Sequence, residues 1–346
     1  MKKFTRILAL LLAVVALFSV ANIPVNAASN GLGITPRKNY TIKPGDNISD
    51  TLYLSNLSIS DDLIVSIRVL DFAAQNETGA PALQLDDDAP AVPWSLKPFT
   101  TIPSTIRVAA GKSTNVPIKI TIPSEQGAGS YYAAIEYKAV NAETEQKVNI
   151  AASSASLIFV TVPGQAKEQM VLKQFGAFVP VGDGTNGSFK TLFMGSEPEM
   201  LAFRLENKGN IAEQPNGSVV VKNMFGRTVL EIEKANPKDQ LALIGQTRRF
   251  ETCLKTSVVE TKASTGQQGE QVVCTDANLW PGRYTAQLAT YYGINGNNTQ
   301  EILATTTFWY LPWWFIIVVI VAIAAIAGIV WLIYRNIRGA HRRYRR

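Results

Sequence analysis

The chain has 346 residues, with 33 Lys and Arg against 27 Asp and Glu, two cysteines and a single histidine. Three cations lie in the first six residues and six arginines after residue 334, so the stretch between holds 24 cations, 27 acids and a net charge of −3. A nucleic-acid-binding role therefore lacks its basic footprint. With His341 as the lone imidazole, the body of the chain also lacks Ser-His and Cys-His nucleophiles and His-bearing zinc sites.

Residues 1–27 read as a secretory signal. Lys2, Lys3 and Arg6 precede an apolar core, Ile7 to Val20, and Val25-Asn26-Ala27 offers a cleavage site. The expectation is an exported chain that begins near Ala28.

From there the hydrophobic pattern has period two. In Leu63 to Val69, Val65, Ile67 and Val69 face one way while Ser66 and Arg68 face the other. Similar runs are Asn115–Ile122, Tyr131–Ala139, Ala155–Val162, Leu201–Leu205, Ser218–Val221 and Tyr284–Tyr292. They are rich in Val, Ile, Thr and Tyr, and Gly, Pro, Asn and Asp punctuate them. That grammar predicts an all-β ectodomain of two tandem Ig-like β-sandwiches, residues 28–164 and 165–311, divided near Pro163-Gly164. The halves echo each other. Gly129-Ser130-Tyr131 and Gly282-Arg283-Tyr284 each open a late strand, and Ser55-Asn56-Leu57-Ser58 corresponds to the earlier turn Glu206-Asn207-Lys208-Gly209-Asn210.

Three motifs along this stretch read as bland. Asp86-Asp87-Asp88 lacks the ligand spacing and glycine of an EF-type calcium loop and reads as solvated. Gly182-Asp183-Gly184-Thr185-Asn186-Gly187 spells G-x-G-x-x-G, but a strand follows it instead of the helix a dinucleotide site needs, so it reads as a hairpin. Asn47, Asn56, Asn76, Asn186, Asn216 and Asn297 stand in N-x-S/T frames, which predicts surface loops. No lysine follows a serine at S-x-x-K spacing. No cofactor is expected.

Cys253 and Cys274, the sole pair in an exported chain, predict a disulfide beneath a polar hairpin tip, Thr261 to Gly269. Two free thiols are the alternative.

The chain ends in a predicted transmembrane helix, residues 312–334, and a basic tail, residues 335–346. Trp313 to Tyr334 carries no charge, and at 1.5 Å per residue its length matches a hydrocarbon core of about 30 Å. Phe308, Trp309, Tyr310, Trp313 and Trp314 gather at one end, with Trp331 and Tyr334 at the other, as rings that prefer the bilayer boundary do. Arg335, Arg338, Arg342, Arg343, Arg345 and Arg346 predict a cytoplasmic C-terminus, and hence one pass through the cell membrane with the ectodomain outside.

In order and spacing, Gly33-Ile34-Thr35-Pro36, Lys43-Pro44-Gly45, Leu52-Tyr53-Leu54-Ser55-Asn56, Val69-Leu70-Asp71-Phe72 and Pro93-Trp94 form one ensemble. It continues through Ile120-Thr121-Ile122-Pro123, Gly129-Ser130-Tyr131-Tyr132 and Phe159-Val160-Thr161-Val162-Pro163-Gly164. It resembles the WxL-interacting cell-surface proteins of bacteria. The resemblance implies a first domain that binds peptidoglycan. Glu206-Asn207-Lys208-Gly209-Asn210, Pro215-Asn216-Gly217 and Pro281-Gly282-Arg283-Tyr284 are similar to the Ig-like second domain of that family. The cysteines and the polar insert between them depart from its pattern, so host contact is not carried over. Trp94-Ser95-Leu96 spells W-x-L in a single copy.

The expected function is thus non-enzymatic binding of cell-wall peptidoglycan, of WxL-type surface proteins, or of both, at the surface of a bacterial cell. Trp94, Tyr131 and Tyr132 are the candidate contacts, by stacking on sugar rings, with core packing expected for at least two of the three. An accessory or chaperone-like ectodomain of a membrane complex is one alternative. A surface hydrolase with an unmarked carboxylate pair is another.

Overall fold

The computed structural model describes residues 31–86, 88–90, 92–141, 152–182, 184–262, 268–293 and 299–343. The signal segment lies outside the described residues, as do Asp87, Asp183, Asn297, Arg345 and Arg346 and the tip of the predicted Cys-flanked hairpin. Strands dominate. The first half contains β1 (Leu32–Ile34), β2 (Arg37–Thr41), β3 (Asn47–Asn56), β4 (Leu63–Leu70), β5 (Phe72–Ala74) and β6 (Pro81–Leu83). A single 3₁₀ turn (Lys97–Phe99) is followed by β7 (Thr100–Thr101), β8 (Thr105–Val108), β9 (Ser113–Thr121), β10 (Gly129–Asn141) and β11 (Ala152–Val162). The second half contains β12 (Met170–Val181), β13 (Asn186–Lys190), β14 (Leu192–Met194), β15 (Met200–Asn207), β16 (Asn216–Asn223) and β17 (Thr228–Ile232). It continues with β18 (Thr247–Cys253), β19 (Thr256–Lys262), β20 (Gln268–Cys274), β21 (Gly282–Tyr292) and β22 (Gln300–Leu311), and then helix α1 (Trp313–Arg343).

Each half is a two-sheet sandwich. In the first, the order β1-β3-β9-β7 faces β2-β11-β10-β4-β8; in the second, β13-β12-β15-β18 faces β14-β22-β21-β16-β17. Pairing β3 with β15, β9 with β18, β4 with β16, β8 with β17, β10 with β21 and β11 with β22 brings the two orders into correspondence. Both modules also share an uncommon feature, a parallel pair formed where the first edge of the chain changes sheet: β2 along β11, and β14 along β22. In the first module the change falls at Pro36, which has no N–H to donate to a ladder.

Alternation builds the cores. Along β4 the pattern places Leu63, Val65 and Ile67 inside and Ile64, Ser66 and Arg68 outside, where Arg68 pairs with Glu136 of β10 at 2.7 Å. Leu52 and Leu54 of β3 and Val116, Ile118 and Ile120 of β9 meet Ile135, Tyr137, Ile158 and Val160 of the facing sheet. The second core has Leu201, Phe203 and Leu205 of β15 and Phe250 of β18 opposite Val219, Val221, Leu288 and Phe308. Phe203 and Phe250 stack at 5.1 Å between centroids.

The internal echo has a physical basis. Asn56 ends β3 and Asn207 ends β15, both buried. Each amide donates to two carbonyls: Asn56 to those of Asp61 and Val108 at 2.8 and 3.2 Å, Asn207 to those of Ile211 and Ala242 at 2.7 and 2.9 Å. Each side-chain oxygen accepts the N–H two residues on, that of Ser58 or Gly209, at 2.9 Å. The sequon at Asn56 thus marks an interior turn and not the surface loop its frame predicts; Asn47, Asn186 and Asn216 are exposed. Tyr131 and Tyr284, one at the start of each late strand, donate their hydroxyls to the carbonyl four residues back, Gly127 at 2.9 Å and Trp280 at 2.6 Å. This is the tyrosine corner of Ig-like sandwiches. Before each lies a glycine with φ near +150°, Gly129 (+151°) and Gly282 (+153°), a region that L side chains avoid.

The G-x-G-x-x-G motif falls where β12 returns as β13: Asn186 and Gly187 already belong to β13, opposite Val181 and Pro180. Cys253 and Cys274 form the disulfide, Cα atoms 5.2 Å apart. It joins the end of β18 to the end of β20, so the β19–β20 hairpin hangs from its base; the bond does not cross the hairpin itself. Trp309 and Tyr310, expected as interfacial flanks of the helix, are strand residues of β22. Tyr310 packs against the second core and Phe308 lies wholly within it. Helix α1 runs past the expected end of the span and carries Arg335, Arg338, Arg342 and Arg343 in the same helix.

Candidate functional site

The first question is where the candidate sugar contacts sit. Tyr131 and Tyr132 are adjacent on β10 and point to opposite faces of the sheet. Tyr131 joins the first core at 8 % exposure, its hydroxyl also accepting from Gln126 Nε2 at 2.6 Å. Tyr132 is wholly buried on the other face. Trp94 is half-buried and stacks on Tyr132, ring centroids 6.0 Å apart. Leu96, two residues along, enters the first core, so the W-x-L tripeptide is a short edge segment hydrogen-bonded to both backbone groups of Tyr132. Neither tyrosine offers a free face to a ring ligand. Both pack in cores, as expected for at least two of the three candidates, and of the three Trp94 keeps the most exposure. Sequence pattern marks the tyrosines only as aromatic strand residues; the first core buries the Tyr131 face of β10, and the second module helps to cover the Tyr132 face.

Tyr132, Ala134, Phe72 and Trp94 meet Leu243, Leu241, Ile244 and Ala212 in a third apolar cluster that joins the modules. Polar contacts surround it. Asn210 accepts the Ser130 N–H at its carbonyl (3.0 Å) and donates from its amide to the carbonyl of Ala128 (3.0 Å); Ser130 Oγ accepts the Ala212 N–H at 2.9 Å. The β5–β6 hairpin reaches across, where Glu77 pairs with Arg204 and its carbonyl takes the Arg249 N–H of edge strand β18 at 2.7 Å. Gly79, at φ +75°, leaves no room for a Cβ beside the Arg248 guanidinium. Burial, with Arg37 nearby, lowers Arg248 to about 10.

A groove of about 850 Å³ opens on the second module between β17 and β18, which are edge strands of its two opposed sheets. Leu230 and Ile232 of β17, Leu254, Val272 and the disulfide give it an apolar floor, and Glu231, Lys234, Lys238 and Glu251 stand around it. Glu77 occupies the near part of the β18 edge; Glu251 and Cys253, farther along, line the groove. The sequence did not disclose this site, because its walls come from strands that pair with different partners.

Trp313 to Arg335 is long and apolar enough to cross a membrane, and none of it is buried against the sandwiches. Trp313, Trp314, Trp331 and Tyr334 are exposed on it, and the Arg335 guanidinium lies 5.5 Å from the Trp331 ring centroid.

No protein-family model matches the sequence, and no curated protein matches it. Solved structures with a similar strand arrangement include the E. coli chaperone DraB, at 13 % identity over 79 % of this chain and 96 % of that one, TM-score 0.32. A CFA/I fimbrial chaperone–tip adhesin complex is similar at 11 % identity over 80 % and 98 %, TM-score 0.35. A Salmonella enterica SafA pilin–SafB chaperone complex is similar at 11 % over 79 % and 96 %, TM-score 0.34. At such scores these likenesses carry no statement about what this chain binds.

Proposed function

We propose that the chain is a non-enzymatic surface protein, anchored by α1, that holds an extended segment of another surface protein in the groove between β17 and β18. The groove carries this reading. It combines an apolar floor with two edge strands, and an edge strand offers unpaired backbone N–H and C=O groups to an incoming strand. The volume of about 850 Å³ suits a short run of side chains. Burial of Tyr131 and Tyr132 leaves half-buried Trp94 alone of the three nominated peptidoglycan contacts. In this reading the resemblance to WxL-interacting proteins supplies the partner class, WxL-type surface proteins, and the accessory or chaperone-like role describes the mode of action.

A photo-crosslinking residue at Val272, which is 63 % exposed in the groove, tests this on intact cells. Discrete protein adducts are expected there, and none from Ile59, 88 % exposed on the first module. Sedimentation of the whole protein with purified peptidoglycan is the parallel arm. Wall binding that survives Val272→Lys, with no adduct at Val272, would reject the protein-segment reading in favour of the wall.

A further inference from the structure

The end of the second module from which α1 emerges carries exposed apolar side chains that its core does not use. The strand registers define that end. Leu311 closes β22 opposite Met194 of β14; Tyr310 faces Gly282 at the start of β21; Tyr284 faces Asn223 at the end of β16. The β16–β17 turn and the segment before β21 therefore lie at the same end as the helix. Phe225 of that turn is 81 % exposed, Met224 53 %, and Trp280 of the segment 78 %, around a concave surface of about 640 Å³.

These side chains are presented by fixed loops. Glu197 accepts the N–H groups of Asn278 and Leu279 at 2.9 and 2.7 Å, and the Trp280 carbonyl accepts the Tyr284 hydroxyl. An indole held out by anchors on both sides is a built feature. The helix is equally fixed. Only Pro312 separates β22 from α1, the Gly195 N–H donates to the Leu311 carbonyl at 3.4 Å, and the Trp313 ring fills the space where a Cβ on Gly195 would stand. With strands about 4.8 Å apart, the β16–β17 turn lies roughly 10–15 Å from the exit of the helix. Of the charges at this end, Glu197 is occupied by the loop, Asp276 lies close to Tyr310, and Arg227 and Arg283 are exposed.

We propose that this face docks on the membrane, with Met224, Phe225 and Trp280 entering the headgroup region of the leaflet through which α1 enters. The occupant is a phospholipid surface because a span that starts one residue beyond β22 brings the bilayer to this face. Aromatic and methionine side chains suit that boundary, one part of it being apolar and the other wet. The inference rests on the reading of α1 as a span. Docking would hold the module at a set height and tilt, and so aim the β17–β18 groove.

The test uses the full chain in phosphatidylcholine nanodiscs with and without doxyl-labelled lipid, carrying an environment-sensitive fluorophore at Phe225→Cys, Trp280→Cys, Trp331→Cys or Ile59→Cys. Quenching of about twofold or more is expected at positions 225, 280 and 331, and none at 59. Quenching at 331 without quenching at 225 and 280 would overturn the docking while leaving the span intact. No quenching at 331 would remove the span and the docking with it. Signal at 225 that follows protein concentration, and not the quencher, would replace the lipid by a second copy and also overturn the proposal.

Discussion

Asp50 shows how much one side chain can join. Its carboxylate accepts Lys38 Nζ at 2.7 Å and the Tyr40 hydroxyl at 2.8 Å, both from β2, and the Thr51 N–H at 2.7 Å. Because β2 and β3 belong to opposed sheets, the Lys38 and Tyr40 bonds close one side of the first sandwich. The Lys38 bond above all, with those from Thr51 and Tyr40, holds the Asp50 carboxyl at about 2, below its ordinary value near 3.8. A carboxyl depressed in the fold contributes stability above its unfolded pKa and loses it as pH falls through the folded one. The loss therefore belongs between about pH 4 and pH 2. Solvent screens the site, so the contribution is that of a surface pair, about 1 kcal/mol or less. Melting curves of Asp50→Asn should fall less steeply than wild type across that window. Equal slopes would show that the cluster adds nothing. Residues of this kind were only half legible. Asn56, Asn207, Tyr131 and Tyr284 stood out as repeated turn and strand-opening residues, but a sequon and an aromatic look alike in sequence whether they face water or the interior. Which side they took depended on strands distant in the chain.

At the level of elements, alternation is a local signal and was legible for that reason. The run Leu63–Val69 lies within β4, Tyr131–Ala139 within β10 and Tyr284–Tyr292 within β21. The β5–β6 hairpin left no such trace, since three-residue strands are shorter than the pattern needs. The parallel pairings of β2 and β14 left none either, because pairing across a module is a property of topology. The cysteines announced their bond but not its geometry. As the bond ties β18 to the base of the β19–β20 hairpin, reduction frees that hairpin and one wall of the groove together. Closing a loop of this length is worth about 3 kcal/mol in the chain-entropy account. Hydrogen exchange after reduction should accelerate in β18, β19 and β20 and stay unchanged in β3, β4 and β9. Uniform acceleration in both modules, or none, would contradict a bond that acts locally.

For the whole molecule the decisive contact is the one between modules, which no local pattern could reveal. Leu243, 5 % exposed, leaves the second module to join Tyr132, Phe72 and Trp94 of the first, while the β5–β6 hairpin grips β15 and β18 through Glu77. The two sandwiches are thereby one body, and residues 163–169 need not set their angle. This bears on function. If the groove holds a partner as proposed, its direction is set where α1 leaves the second module after Leu311, and the seam carries the first module along with it. Leu243→Ala removes a buried apolar side chain from that seam. Truncations of this size in packed interiors cost about 2–5 kcal/mol. The expected result is that the coupled unfolding of the two modules separates into two transitions, and that X-ray scattering of the variant shows a larger radius of gyration. Leu303→Ala, at a position 68 % exposed on β22, should change neither reading. If Leu243→Ala kept both the wild-type scattering and a single transition, the modules would be joined by the hydrogen bonds of Asn210 and Ser130 and by the Glu77 clasp. The aromatic seam would then be only their filling.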